Sequence, residues 1–557
     1  MSSRIYGIDL GTTYSCISYI DEFSKAVVVP NSEGQQTTPS VVYFESPDNI
    51  VVGQAAKEVA LLYPDKVIST IKRSVGDENW RFEIAGVEHT PASISSLIVK
   101  KLITDAEIVT GEKVTDVVIT CPAYFGLAQR EITKQVGELA GLKVHHVIPE
   151  PTAAAFDYAI AQTTPQIILV FDLGGGTFDV NLIETKEKEI TVQCIGGDSQ
   201  LGGKDWDETL ANWFAEEFSH KTGVPAAELT SNLETWQELL KEAENAKITL
   251  SSRTSHTKRI RHSTQNAIIE ITRDKFDELT AHLLERAISL TEELLETAKN
   301  KGFSEVDKLI LVGGSTFMPQ VKNKVKEKFP FEVLQHDPNQ AVAKGAALYG
   351  YKCHLEELIK IIVAEETGAK PAEVDLGSVD ASVIKSAESS IAESEGMDLT
   401  GIQNITATKV TNVTSKSFGI IVNDRILGGI ERVQNLIYLN DKVPTKVAKK
   451  FSTFDDMQSS VLLKCVENHE PEGLVNETLD PALSAQVGVA ELLFKRPLPQ
   501  DSPLEVTFSL SDDGRLTLYA KDLTTNGEIT AEFKTAAILS EKELKEKSKQ
   551  ISLVKVS

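Results

Sequence analysis

The chain is 557 residues long and carries 57 Lys+Arg against 81 Asp+Glu, a formal net charge of −24. So acidic a chain lacks the clustered cations with which nucleic-acid binders neutralise phosphates, and no apolar run approaches the roughly 20 residues needed to span a bilayer. With 41% hydrophobic and 25% charged residues, the composition is that of a soluble globular protein of roughly three or four folding units.

In chain order, the start Met1-Ser2-Ser3-Arg4 opens no signal peptide, and Ile5 to Ile8 reads as a strand with Cys16 to Ile20 as its return. Short apolar strands alternating with amphipathic helices over residues 1–352 predict layered α/β structure. Phe276, Leu279, Leu283, Leu284, Ala287, Ile288, Leu294, Leu295 and Ala298 keep helical spacing up to Gly302, a natural helix stop. Residues 353–400 hold eleven acids against three lysines, which predicts a solvated helix pair or a semi-disordered connector, and with the stretch to 412 they form an acidic insert and linker. From 413 to 535 the texture turns to strict alternation. Leu504, Val506, Phe508 and Leu510, then Asp513-Gly514, then Leu516, Leu518 and Ala520 predict a β-hairpin, and Val461 to Cys465 a further strand. A capping box at Ser540 to Glu543 opens a short charged helix and a frayed tail within 536–557. The five cysteines (Cys16, Cys121, Cys194, Cys353, Cys465) have no metal-ligand or disulfide spacing, so a reducing cytoplasm is the expected home despite sequons at Asn404, Asn412 and Asn476.

One pattern occurs twice. Ile8-Asp9-Leu10-Gly11-Thr12-Thr13 and Phe171-Asp172-Leu173-Gly174-Gly175-Gly176-Thr177 each end a strand on Asp and turn tightly through Gly and Thr. Such turns can aim backbone N–H groups at phosphate oxygens, and each Asp can hold the waters of Mg²⁺. A third glycine turn, Gly313-Gly314-Ser315-Thr316, follows the apolar strand Leu309 to Val312 and offers a place for a nucleoside.

With Cys121-Pro122-Ala123-Tyr124-Phe125 and Glu150-Pro151-Thr152-Ala153-Ala154-Ala155 between them, these stretches resemble the 70-kilodalton heat-shock chaperones of DnaK type. The resemblance implies an α/β actin-like two-lobed ATPase domain followed by an all-β peptide-binding sandwich. It also implies ATP and Mg²⁺ as cofactors, with K⁺ admitted beside them. Gly11, Thr12, Thr13, Tyr14, Gly175, Gly176 and Thr177 would cradle the phosphates, and Asp9 and Asp172 would organise Mg²⁺ through water. Lys72 matches the family's catalytic lysine, and Glu150, Asp172, Thr177 and Asp179 match groups at the γ-phosphate or the attacking water. Glu244, Lys247 and Ser251 match the helix that holds the ribose, and Gly314 and Ser315 the turn beneath the base. Phe317 stands in place of the usual Arg over the base and Asn339 in place of an Asp. A ring could stack on adenine in the arginine's place, or Phe317 could be core.

In the sandwich, Ile420, Leu427, Phe451, Val461 and Leu463 match peptide-pocket positions, Leu427 and Phe454 the pair arching over the peptide, and Asn423 to Ile426 lengthen the first substrate loop. The resemblance implies extended apolar segments of unfolded polypeptides as partners, together with a J-domain co-chaperone and a nucleotide exchange factor. The sequence departs from the family where J-domains bind (His146, Pro149), in the linker Thr408 to Val413, and after the sandwich, where a helical lid is expected to be nearly absent. Polar residues in place of the linker's leucines predict weaker docking, at about 2 kcal/mol per leucine. Two readings stay open: a stress-response chaperone coupling slow ATP hydrolysis to peptide binding, and an ATP-binding co-chaperone or scaffold with weak or uncoupled hydrolysis. A sugar kinase of the same superfamily would have no need of the sandwich.

Overall fold

The computed structural model describes residues 4–557 apart from 161, 163, 426, 471–477, 513 and 534–537. Ile426, the sequon at Asn476, Asp513 of the hairpin turn and the boundary at 535 therefore lie outside the described residues.

Two sheets of related topology form the first part of the chain. The first is six-stranded, in the order Lys143–Pro149, Asp116–Cys121, Ile5–Asp9, Tyr14–Ile20, Ala26–Val28, with Thr38–Pro39 beside Tyr14–Ile20. The second is seven-stranded, in the order Glu332–Gln335, Lys308–Val312, Gln166–Leu173, Phe178–Lys186, Glu189–Asp198, Lys409–Val413, Lys442–Val443. Each centres on an antiparallel hairpin whose first strand also pairs in parallel with a later one. Side chains alternate faces with period two. Ile168 and Val170 join one core with Ile5 and Val118, while Leu169 and Phe171 enter another. The shared core between the sheets is closed by the helices Glu150–Ala159 and Ala341–Thr367. These cross so closely that a Cβ on Gly345 would stand 1.8 Å from the Ala153 carbonyl oxygen, which is why a residue without a side chain is needed there.

The acidic stretch is more ordered than its composition predicts. Residue 352 lies inside the 27-residue helix Ala341–Thr367, and the helices Ala381–Glu395 and Leu399–Thr406 fold back beside it. Leu355, Ile359, Val363, Ala387, Ile391, Ile402 and Ile405 complete the core that contains Ile5 and Ile168. Apart from Glu388, which is buried and accepts from Thr406 Oγ1 at 2.5 Å, the acids stay at least partly exposed, and the apolar residues between them decide the packing.

Beyond it, a five-stranded sheet (Thr478–Leu479, Ile430–Ile437, Ser417–Asp424, Gln458–Asn468, Ala485–Leu498) faces a four-stranded one (Thr445–Ser452, Pro503–Leu510, Leu516–Asp522, Glu528–Glu532) across a common core. The predicted hairpin and the 461–465 strand are both present. Asn423 and Asp424 pair with Glu431 and Ile430, so these added residues lengthen the hairpin strands and not the loop.

This β-rich region is joined to the sheets before it at both ends. The linker strand Lys409–Val413 runs parallel to Glu189–Asp198, with Ile190 opposite Val410, and the Asn412 side chain accepts a hydrogen bond from Thr152 Oγ1 at 3.0 Å. Docking thus runs through main chain, polar contacts and the side chains of Val410 and Val413, which pack into the core that contains Ile5 and Ile168. At the other end the tail is not frayed. The helix Glu541–Leu553 packs on the first lobe, and the strand Lys555–Val556 pairs with Asn49–Val52. Lys100 Nζ donates to the carbonyl oxygens of Ile551 (2.7 Å), Ser552 (3.2 Å) and Val554 (2.6 Å), satisfying groups that a helix C-terminus leaves unpaired. Among the described residues no helix is long and apolar enough to cross a membrane.

Candidate functional site

The two Gly/Thr turns interlock. A Cβ on Gly175 would come within 1.9 Å of Thr13 Oγ1, and one on Gly176 within 2.2 Å of Thr12 Cγ2. A third element closes on them: Gly203 N donates to Gly174 O at 3.0 Å and Lys204 N to Gly175 O at 2.7 Å, and Ser315 Oγ donates to Gly174 O at 2.8 Å. Together they wall a cavity of about 410 Å³. Asp9, Gly11, Thr12, Thr13, Tyr14, Lys72, Glu150, Asp172, Gly175 and Thr177 line it together with Glu244, Lys247, Ser251, Gly314 and Ser315. Gly176 and Asp179 stand behind the wall: the Gly176 carbonyl accepts from Arg73 Nε at 2.8 Å, and Asp179, 1% exposed, accepts from Ala123 N at 2.8 Å. Asp179 acts on the cavity through its charge and through the segment it holds.

Charge decides the chemistry of the floor. Lys72, in the turn Ile71–Ser74, is buried and ion-paired with Glu150 at the start of Glu150–Ala159. Burial alone would pull its pKa down, but Glu150 and Asp9 reverse that and leave it raised. Asp9 accepts from Thr120 Oγ1 at 3.2 Å, and burial, then the charge of Glu150, push its carboxyl up to about 7. The same two causes hold Asp172 and Asp179 well above the usual carboxylate range. Asp9, Glu150 and Asp172 at the floor, with Asp179 behind it, outnumber the one ammonium and leave the floor short of positive charge, which a divalent cation would supply. Among the described residues no three His, Cys, Asp or Glu side chains form a direct metal cluster; Asp9 and Asp172 face the cavity singly, an arrangement suited to a hydrated ion. Because protons compete with a cation for Asp9, apparent Mg²⁺ affinity in the presence of ATP is expected to weaken by about tenfold per unit as pH falls below about 7. Titrating Mg²⁺ at pH 8 and pH 6 checks this, and equal affinities would remove Asp9 from the cation's surroundings.

The Hsp70 protein family model matches residues 5–83 and 76–355. The chain belongs to the Hsp70 family. Members of this family are chaperones and ATPases that bind ATP with Mg²⁺, and the cavity of this Hsp70 has the glycine cradle and the acidic floor that such a ligand requires.

Several polar groups of the site carried no motif in the sequence. Lys57, from the helix Gln54–Val59, donates to Tyr14 Oη at 3.0 Å and to Glu244 Oε1 at 2.7 Å, so it ties the first lobe to the helix Leu233–Ser252 across the cavity mouth. Arg73 forks onto Asp205 with contacts of 3.1 and 2.5 Å. Lys247 donates to Asp207 Oδ2 at 2.7 Å, while Asp207 Oδ1 is buried without a partner; burial raises the Asp207 carboxyl to about 6 against the pull of Lys247. The hint available in the sequence was local: Arg73 adjoins Lys72, and Asp205 and Asp207 follow the Gly202-Gly203 turn. Phe317 is not core. It is 49% exposed and lines the cavity with Asn339.

The expected peptide-pocket residues divide into three groups. Ile420 and Leu463 are buried in the core between the two β-sheets, and Phe451 and Val461 pack half-buried against it. Leu427 is exposed. The Phe454 ring lies 3.1 Å from where a Gly429 Cβ would be, with the Arg425 guanidinium 5.4 Å from its centroid. The two loops expected to arch over a peptide therefore touch each other, and Arg425 Nη2 donates to Thr453 O at 2.7 Å across them.

Proposed function

We propose that this Hsp70 is an ATP-binding co-chaperone or scaffold, in which an actin-like two-lobed ATPase domain keeps its sandwich docked and slow hydrolysis is not coupled to peptide binding. The observation that carries this is the double attachment of the β-rich region. The linker strand extends one sheet of the ATPase, the tail strand extends another, and between them Ser415 Oγ donates to Phe125 O at 2.8 Å and Lys301 Nζ to Asn440 O at 3.0 Å. The resemblance implies a linker that in most relatives docks on the ATPase when ATP is bound. Here the second anchor at the tail opposes release, because undocking would have to break both ladders. Lys72, Glu150, Asp172, Thr177 and Asp179 support a second reading, the ATP-driven chaperone gripping apolar peptides, since phosphoryl transfer needs this set of charges and positions. Single-turnover ATP hydrolysis with and without an apolar heptapeptide separates the two. We expect the rate to change by less than about twofold, where each factor of ten would represent about 1.4 kcal/mol of coupling. Stimulation of tenfold or more would overturn the docked reading in favour of the coupled chaperone.

A further inference from the structure

We infer that Arg73 is a positioning residue for phosphate binding: from outside the cavity it holds the Gly176–Thr177 peptide so that the Thr177 N–H faces a phosphate oxygen. The inference rests on the reading of this cavity as a Mg·ATP site. Arg73 and Lys72 share the short turn Ile71–Ser74, but Lys72 lines the cavity and Arg73 does not. Arg73 Nε donates to Gly176 O at 2.8 Å, and its two terminal nitrogens reach Asp205 at 3.1 and 2.5 Å. Asp205, at the start of the helix Gly203–Thr222, accepts in turn from Gly202 N at 2.7 Å. Gly202 packs back on the same peptide, because a Cβ there would stand 2.6 Å from Gly176 N and C. A plain ion pair needs only the fork onto Asp205; the third contact, from Nε, goes to a backbone carbonyl of the phosphate turn. That carbonyl fixes the next amide. The bond between Gly176 and Thr177 is trans, and in a planar trans peptide the C=O and the following N–H point to opposite sides. With the carbonyl drawn toward Arg73, the N–H lies on the side where Thr177 lines the cavity. Among the described residues Thr177 N has no acceptor, as suits a donor held ready for an anion. Without such a hold Gly176, which has no Cβ, has a wide choice of backbone angles and does not fix that peptide by itself.

The test is equilibrium binding of Mg·ATP and Mg·tripolyphosphate to the full chain by calorimetry. We expect Arg73→Ala to weaken both by the same factor, about ten- to a hundredfold, the scale on which losing a partner that orients a ligand's own contact acts. Equal factors place the effect at the phosphates, whereas a general loosening of the fold would cost the nucleotide more than the bare polyphosphate. Asp205→Asn should weaken both ligands by less, and the double variant should bind no more weakly than Arg73→Ala, since the two side chains act as one unit. Arg73→Lys keeps a charged donor but not the fork and should recover part of the affinity. Free guanidinium added to Arg73→Ala should recover affinity too, with no effect on wild type. Should Arg73→Ala fail to fold, Arg73→Lys and Asp205→Asn carry the same comparison. Tripolyphosphate affinity within about twofold of wild type in the Arg73 variants would overturn the inference, as would a loss confined to ATP. If wild type binds neither ligand, the nucleotide reading of the cavity fails instead.

Discussion

Replacing Lys72 with alanine is expected to lower single-turnover ATP hydrolysis by at least about 10²-fold, the size of effect seen when a preorganised charge is removed from a developing anion. Lys72 is the ammonium that balances the carboxyl groups of Asp9, Glu150 and Asp172 at the cavity floor and of Asp179 behind it. Its pKa is raised above the ordinary value of 10.5, so Lys72 carries its charge throughout the range below that value, and its contribution is lost as pH rises through the folded value. Without the ammonium, the floor must either take up a proton or keep unpaired charge, at a cost of about 3–5 kcal/mol. The unliganded variant should therefore melt roughly 5–10 °C lower, with the deficit larger at pH 8 than at pH 6. Between pH 6 and pH 8 the Asp9 carboxyl, raised to about 7, gives up its proton, and repulsion across the floor grows. Calorimetric melting at the two pH values, with hydrolysis measured on the same preparations, checks both halves. A variant that hydrolyses as fast as wild type would make the Lys72 to Glu150 pair purely structural.

How far the sequence reached depended on whether a contact is local. The strand, turn and strand around Asp9 and around Asp172 are each written in fewer than twenty residues, because a tight turn dictates Gly and Thr at set places, and the turns were legible together with the cavity they build. The contacts that close the cavity join distant segments. Lys57 and Glu244 are 187 residues apart, and nothing near Lys57 marks it as more than one lysine on a solvated helix. Acid counts allowed a solvated helix pair or a semi-disordered connector over residues 353–400; the helices are present, and their packing was hidden because charge on an outer face says nothing of the inner one. Ile359, Ile391 and Ile402 are spaced for burial, and it is burial that fixes these helices. The linker strand pairs without leucines because a parallel ladder is made by backbone groups that every residue except Pro carries, a contact that side-chain polarity does not reveal. The tail strand of two residues is too short for any period to betray, and its pairing depends on an edge supplied by Asn49–Val52, some five hundred residues earlier.

Ending the chain at Leu539 is expected to loosen the whole assembly more than the loss of a short exposed helix would. The β-rich region is tied at both ends, with the linker strand in the seven-stranded sheet and the tail strand beside Asn49–Val52, so the chain itself links the two parts of the structure that carry the cavity-lining turns. Removing residues 540–557 takes away the buried Ile551 and Val556, each worth about 1.5–3 kcal/mol when fully buried, and the three carbonyls held by Lys100. If about 1.4 kcal/mol of that opposes lobe opening, nucleotide release should accelerate about tenfold. With one anchor gone, hydrolysis should also begin to respond to an apolar peptide. Release is measured by chasing a fluorescent ADP analogue, and docking by the radius of gyration in solution. Lys100→Met, which keeps the apolar stem but removes the donors, should reproduce part of the effect in a chain of full length and so separates a lost anchor from a damaged fold. Unchanged release in both variants would mean that the tail covers the first lobe without restraining it, and the docked arrangement would then rest on the linker strand and the contacts of Ser415 and Asn440 alone.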